Sequence, residues 1–219
     1  FPPIGEHEPH PMGAREGAYG DRRLRYAYLY IANRIAKLSG HPAIVEENEP
    51  ALIRAIEDEK QIKIWTSKLV NILASPRPAA PHIAGITLDL FGFSRGATAA
   101  RTFLNQLIEW AGDNQPSICG IPLRVRFMGL FDTVASVHVA DSVPLLPGDG
   151  HLKWAEPRHM GIPGFVEQCV HMIAAHEARN SFPLTTICAL QSESPQRLEI
   201  IYPGMHSDVG GGYGPITQG

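Results

Sequence analysis

Hydrophobic positions follow two kinds of pattern along this chain, and the pattern changes near residue 80. From Asp21 to Leu38 the apolar residues Leu24, Ala27, Tyr28, Ile31, Ile35 and Leu38 recur every three or four positions, the spacing of one helix face. Gly40 and Pro42 end that helix. A second helical stretch runs from about Pro50 to Leu73, with a break expected near Lys60. Within it, Gln61–Leu73 carries Ile62, Ile64, Trp65, Leu69, Val70, Ile72 and Leu73 beside Lys60, Lys63 and Lys68. This composition suits an amphipathic helix packed on a core, and it also suits a segment that meets lipid. Pro76, Pro78 and Pro81 then form a stiff connector, and residues 1–20, rich in Gly, Pro and His, read as loop.

Beyond residue 80, short β-prone runs alternate with helical ones. Ile83–Phe91 reads as a strand ending at Gly92, and Ala97–Trp110 as the helix that follows it directly. Leu123–Phe131 is a strand in which Leu123, Val125 and Phe127 alternate with Arg124 and Arg126 before the run turns wholly apolar. Residues 141–163 read as loop, Gly164–Ala178 as helix, and Leu184–Leu190 and Leu198–Tyr202 as strands. Alternation of this kind predicts an α/β fold with a mostly parallel sheet and helices on both faces. Residues 1–219 read as a single catalytic domain. Its start at Phe1-Pro2-Pro3 and its end in a glycine-rich loop lead us to expect a fragment that lacks flanking elements at both ends.

Composition narrows the classes of function. Hydrophobic residues make up 44% and charged residues 19%, which describes a globular chain with a packed core. A net charge of -3 with scattered basic residues excludes nucleic acid as a partner. Cys119, Cys169 and Cys188 are odd in number and far apart, so they form no closed disulfide framework. No apolar run approaches the ~18 residues of a membrane span. No basic start and apolar core mark a secretory signal, so a protein of this kind working outside the cytoplasm would need another export route.

Gly92-Phe93-Ser94-Arg95-Gly96 has the form G-x-S-x-G and lies between a predicted strand and a predicted helix. In that setting Ser94 occupies a tight turn that lifts its hydroxyl above the sheet edge, as a nucleophile requires. Gly92 and Gly96 are expected to remove Cβ atoms that would clash there. The backbone N–H of Arg95, at the helix N-terminus, would face a developing oxyanion. A nucleophilic serine needs a base and the base an orienting acid. Asp132 ends the second strand, and His206 lies in a glycine-rich loop past the last one. The order Ser94, Asp132, His206 is that of an α/β-hydrolase-type catalytic triad. Asp208 and Asp141 compete for the role of acid, and His138 for that of base. Asp89 reads as a half-exposed strand residue. His171 and His176 are five residues apart, too far round a helix to share a metal, and His206-x-Asp208 has no further ligand at a recognisable spacing. We therefore expect no metal and no cofactor.

Three blocks of sequence carry a family likeness. They are Leu90-Phe91-Gly92-Phe93-Ser94-Arg95-Gly96-Ala97 with Ala100-Arg101, Gly129-Leu130-Phe131-Asp132-Thr133-Val134-Ala135, and Pro203-Gly204-Met205-His206-Ser207-Asp208-Val209-Gly210-Gly211-Gly212-Tyr213. Over roughly residues 80–213 the chain resembles the hydrolase family that contains the type VI secretion phospholipase effectors. The resemblance implies hydrolysis of phospholipid acyl esters by Ser94, Asp132 and His206. It also implies synthesis in the cytoplasm and delivery by the type VI machine to the periplasm or membrane of a rival cell. Its partners would be the phospholipid membrane, a secretion-spike protein and a cognate immunity protein. His176-Glu177-Ala178-Arg179, with Phe182 after it, also resembles the family and reads as an ion pair at a helix end. The D-G-T-type loop and large membrane-binding insertions of family members have no counterpart here. A carboxylesterase or thioesterase acting on soluble esters would share these motifs, and a hydrolase-fold interaction module would share the fold. For a lipase, Gln61–Leu73 is the segment expected at the mouth of the site, with Trp65 and Leu69 meeting the acyl chain.

Overall fold

The computed structural model describes residues 20–111, 116–135, 156–178, 184–187 and 196–212. Expectations for the loop at residues 1–19, for His138, Asp141, Cys188, Arg179, Phe182 and Tyr213, and for the end of the Leu184–Leu190 strand lie outside the described residues. The chain divides into two compact units, one of Phe1–Ile86 with Gln106–Arg124, the other of Thr87–Asn105 with Val125–Gly219.

The first unit is helical at its centre. Helix α1 (Gly20–Leu38) buries Leu24, Tyr28, Leu29, Ala32, Ile35 and Ala36, the face predicted from apolar spacing. It packs against α2 (Glu49–Glu57) and α3 (Lys60–Ala74). Asn48 caps α2 by accepting the Ala51 N–H at 3.0 Å. The break expected near Lys60 falls at Asp58-Glu59, where the Asp58 carboxylate accepts the Lys60 N–H at 2.9 Å. Arg25, almost fully buried, donates from Nε to the Ile56 carbonyl at 2.5 Å and from Nη2 to Asp21 at 2.6 Å. A cation thereby meets the C-terminal carbonyls of α2, where the helix dipole is negative. Burial pushes the Tyr28 hydroxyl up to about 12, and its oxygen lies 2.6 Å from Thr66 Oγ1 on α3.

Trp65 and Leu69 are 1% and 0% exposed, so they are core and not an open face for an acyl chain. The large apolar residues that α3 leaves exposed are Ile64 and Val70. Strand β2 (Ser117–Ile118) pairs antiparallel with the start of β3 (Ile121–Phe131). Cys119 and Gly120 join them at φ 52 and 82, the two positive values that a tight hairpin turn needs to match strand twist.

The second unit carries the sheet. Strand β1 (Ile86–Phe93) runs into helix α4 (Arg95–Ala111), and β3, β4 (Val166–Ala174) and β5 (Arg197–Tyr202) follow in the order β1-β3-β4-β5. β4 is parallel to β3, with Val125 opposite Val166 and Phe131 opposite Met172. β5 is parallel to β4, with Cys169 opposite Arg197 and Ala174 opposite Tyr202. The chain thus has the α/β fold expected of a hydrolase, with a mostly parallel sheet. No described helix is long and apolar enough to cross a membrane.

Two expectations are corrected. Gly164–Ala178 contains no helix; its centre is strand β4. Val166, Cys169, Val170 and Ile173 have helical spacing, but a strand flanked on both edges by parallel neighbours needs no period-two alternation. Leu184–Ile187, the described part of a predicted strand, is irregular backbone. Its carbonyls serve Arg101, whose buried guanidinium donates to Met160, to Thr185 at 2.7 Å and to Thr186 at 3.2 Å. Burial lowers the Arg101 pKa to about 10, so it stays charged at neutral pH.

Because Leu69 is sealed in the helical core, Leu69→Ala should lower the unfolding free energy by about 2–5 kcal/mol. Val70→Ala, on the exposed face of the same helix, should change it by no more than about 0.5 kcal/mol. Denaturant titration of the two variants checks both values.

Candidate active site

The sequence folds into the site through two strand ends. β1 stops at Phe93, and Ser94 turns the chain with φ 56 before α4 begins at Arg95. Gly92 makes this turn possible, since a Cβ there would lie 2.3 Å from the Gly96 carbonyl oxygen. Gly96 does not answer the same need: a Cβ at that position meets nothing within 4 Å, so the expectation of a clash there is corrected. Arg95 is the first residue of α4, which puts its N–H in the first helical turn, at the positive end of the helix dipole.

The neighbouring strand β3 ends in a matching turn. Asp132 has φ 44, and its N–H donates to the Met172 carbonyl at 2.7 Å. Backbone bonds join the two turns. Ser94 N–H donates to the Phe131 carbonyl at 2.8 Å, and the Ser94 carbonyl accepts from Val134 at 3.4 Å and from Ala97 and Thr98 in α4. The Thr98 hydroxyl completes the link by donating to the Val134 carbonyl at 2.7 Å.

His206 opens the short helix α5 (His206–Val209) and is buried, as is Asp132. Its Nδ1 lies 2.6 Å from Asp132 Oδ2, while Asp132 Oδ1 accepts the Ala174 N–H at 3.0 Å. Burial alone would raise the Asp132 pKa, but the bonds from His206 and Ala174 and the charges of His206 and His171 outweigh it, so the carboxyl stays below its ordinary 3.8. With Nδ1 engaged by a carboxylate, the ring is oriented so that Nε2 is the nitrogen able to act as base. The Phe93 ring stacks beside His206, with centroids 4.6 Å apart.

Two other acids have partners of their own, while Asp141 lies outside the described residues. Asp208 Oδ2 accepts the Met205 N–H at 2.7 Å and so caps the turn that carries His206. Asp89 forms a bidentate pair with Arg126 on the neighbouring strand. Among the described residues no group of three His, Cys, Asp or Glu side chains could hold a metal ion.

Sequence reasoning misjudged the residues that hold His206. His176 and Glu177 follow strand β4 and end no helix. Glu177 Oε2 accepts the His206 N–H at 3.2 Å, and His176 Nδ1 accepts the Gly204 N–H at 3.1 Å. Their proximity to the family-like histidine block in space was hidden once the segment was read as helix.

Comparison with known proteins adds identity to this geometry. Residues 109–218 match the family model described as the type VI secretion (T6SS) phospholipase effector Tle1-like catalytic domain. An uncharacterized protein from Pseudomonas aeruginosa, known from a crystal structure, is 30% identical at a TM-score of 0.62 over 95% of this chain and 33% of its own. A Tle1 effector, solved bound to the VgrG spike of the type 6 secretion system, is 30% identical at a TM-score of 0.44 over 72% of this chain and 30% of its own. The chain spans about a third of the length of these solved proteins. No curated protein matches it.

The depressed Asp132 pKa has a definite sign in the stability profile. A carboxyl whose pKa is lower folded than unfolded adds stability above its unfolded value, and that stability is lost as pH falls through the folded one. Thermal midpoints of the wild type should therefore drop as pH falls below about 4. Asp132→Asn should start from a lower midpoint and show a flatter acid limb, measured by melting across a pH series.

Proposed function

This chain belongs to the type VI secretion family of Tle1-like phospholipase effectors, and on that premise we propose that it cleaves acyl esters of phospholipids with Ser94 as nucleophile. His206 Nε2 takes the Ser94 proton as Oγ bonds to the ester carbonyl carbon. The carbonyl oxygen becomes an oxyanion, with the Arg95 backbone N–H at the start of α4 as one donor. The C–O bond to the alcohol breaks, His206 returns the proton to the leaving oxygen, and an acyl-serine remains. Water, deprotonated by the same imidazole, releases the fatty acid and restores Ser94. Asp132 holds the ring in the required tautomer and stabilises the imidazolium that forms in both steps. The reaction needs no cofactor.

The observation that carries this reading is the buried 2.6 Å bond between His206 and Asp132, on a turn tied by backbone bonds to that of Ser94. Family membership supports the setting: synthesis in the cytoplasm, export by the type VI machine on a spike protein, and action on the membrane of a neighbouring cell. An immunity protein would guard the producing cell.

In the full-length protein a fluorophosphonate probe should label Ser94, and Ser94→Ala should abolish labelling and ester turnover. Asp132→Asn should cost on the order of 10⁴-fold in kcat, whereas Asp208→Asn, which disturbs only a cap, should be far milder. Turnover surviving in Ser94→Ala at more than about a hundredth of wild type would sink the nucleophile assignment.

Phospholipid substrate makes a separate demand. The wild-type protein should turn over vesicle phospholipid faster than a short soluble acyl ester at equal ester concentration. The opposite ranking, with Ser94 still labelled, would make it a soluble-ester hydrolase.

A further inference from the structure

A second imidazole–carboxylate pair lies behind the first, and no step of the proposed reaction uses it. His171 sits on β4 with no exposed surface. Its Nδ1 lies 2.8 Å from Glu199 Oε1 on β5. Its Nε2 lies 3.0 Å from both the backbone nitrogen and Oγ1 of Thr133, the residue after Asp132. These partners settle where the proton is. An ionised carboxylate only accepts and a backbone N–H only donates, so Nδ1 carries the proton and Nε2 offers its lone pair to Thr133.

The rest of the surroundings agree with a neutral ring. Burial holds the His171 pKa below 6.5 against the pull of Glu199, with Arg101 adding to the drop and Asp132 opposing it. A second proton would set Nε2–H against the Thr133 N–H and leave two buried donors facing each other. Glu199 is itself fixed, accepting the Ile187 N–H at 2.7 Å and the Thr186 hydroxyl at 2.5 Å.

Asp132 needs such support. A non-glycine residue at positive φ is strained and persists only where its neighbours hold it. Met172 holds the peptide before Asp132 and His171 holds the peptide after it. We propose that His171, oriented by Glu199, is a positioning residue that fixes the Asp132–Thr133 turn and so keeps the Asp132 carboxylate on His206 Nδ1. The kinetic consequence rests on the ester-hydrolase reading; the positioning itself does not.

The test uses full-length protein. His171→Phe fills similar space without an acceptor, whereas His171→Gln can place its amide oxygen near the lost Nε2. His171→Phe should lower kcat about 100-fold with KM little changed, since a small displacement of a catalytic group costs that much. His171→Gln should recover most of the loss. In an Asp132→Asn background, His171→Phe should add nothing, because the group it positions is already disabled. Additive losses, or an unchanged kcat in His171→Phe, would overturn the proposal. Should His171→Phe fail to fold, His171→Asn takes its place: it can reach Glu199 but not Thr133, and should behave unlike His171→Gln. Equal behaviour of Asn and Gln overturns the idea.

A readout independent of turnover separates this proposal from the reading it builds on. In ¹⁵N-histidine-labelled protein, the His206 Nδ1 proton bonded to Asp132 should give a far-downfield resonance in wild type and His171→Gln, and lose it in His171→Phe or His171→Asn. If wild type neither labels at Ser94 nor cleaves esters, the hydrolase reading falls, while this resonance still decides positioning. Its retention in the acceptor-less variants counts against His171.

Discussion

Ser94 and Asp132 each carry a side chain into the left-handed region of backbone space, at the ends of adjacent strands β1 and β3. Held separately, each turn would relax toward a commoner conformation. They are not separate. The Phe131 carbonyl takes the Ser94 N–H, and the Ser94 carbonyl takes the Val134 N–H, so each turn presents the groups that satisfy the other. Buried backbone polar groups must find partners, and here that requirement locks Ser94 and Asp132 into one frame. The frame extends into α4 through Ala97 and Thr98.

Much of this was legible because chemistry at a sheet edge announces itself. A small-residue turn after an apolar run, an acid at the end of the next strand and a histidine after the last strand pointed to Ser94, Asp132 and His206 without any coordinates. The helices of the first unit were legible because one apolar face repeats at 3.6 residues; α1 differs from its expected bounds by one residue. Strand β4 was not legible, because its apolar residues happen to fall at helical intervals and nothing local says that parallel strands lie on both sides. That single misreading also hid His176 and Glu177, whose bonds to the His206 loop depend on where β4 ends. The difference between Asp132 and Asp208 lay beyond sequence too: both are acids near the histidine, and only the structure puts Asp132 on the His206 ring and Asp208 on the Met205 N–H. Trp65 and Leu69 failed as an acyl-binding surface because an amphipathic pattern states that one face is buried, without stating what buries it.

Arg101 does for the irregular backbone what the paired turns do for the strand ends. A buried guanidinium is costly unless its donors are used, and its bonds go to carbonyls of Met160, Thr185 and Thr186. Segments without regular hydrogen-bonding partners are thereby given one. Thr186 in turn donates to Glu199, and Glu199 holds His171. A polar path thus runs from helix α4, which follows Ser94, to the turn bearing Asp132. Networks of this kind are stable when every member is satisfied and fragile when one is removed.

The Phe93 ring, stacked beside His206, also occupies the space over Gly210: a Cβ on that glycine would meet ring carbons at 2.6 Å. The residue before Ser94 and a glycine after the histidine are therefore two halves of one steric fit, although 117 positions separate them in the chain. Variation at either site is not independent. A methyl group at 210 would require the Phe93 ring to swing aside, and that movement displaces the ring that flanks the imidazole. A change at either position is therefore felt at the histidine that the ring flanks.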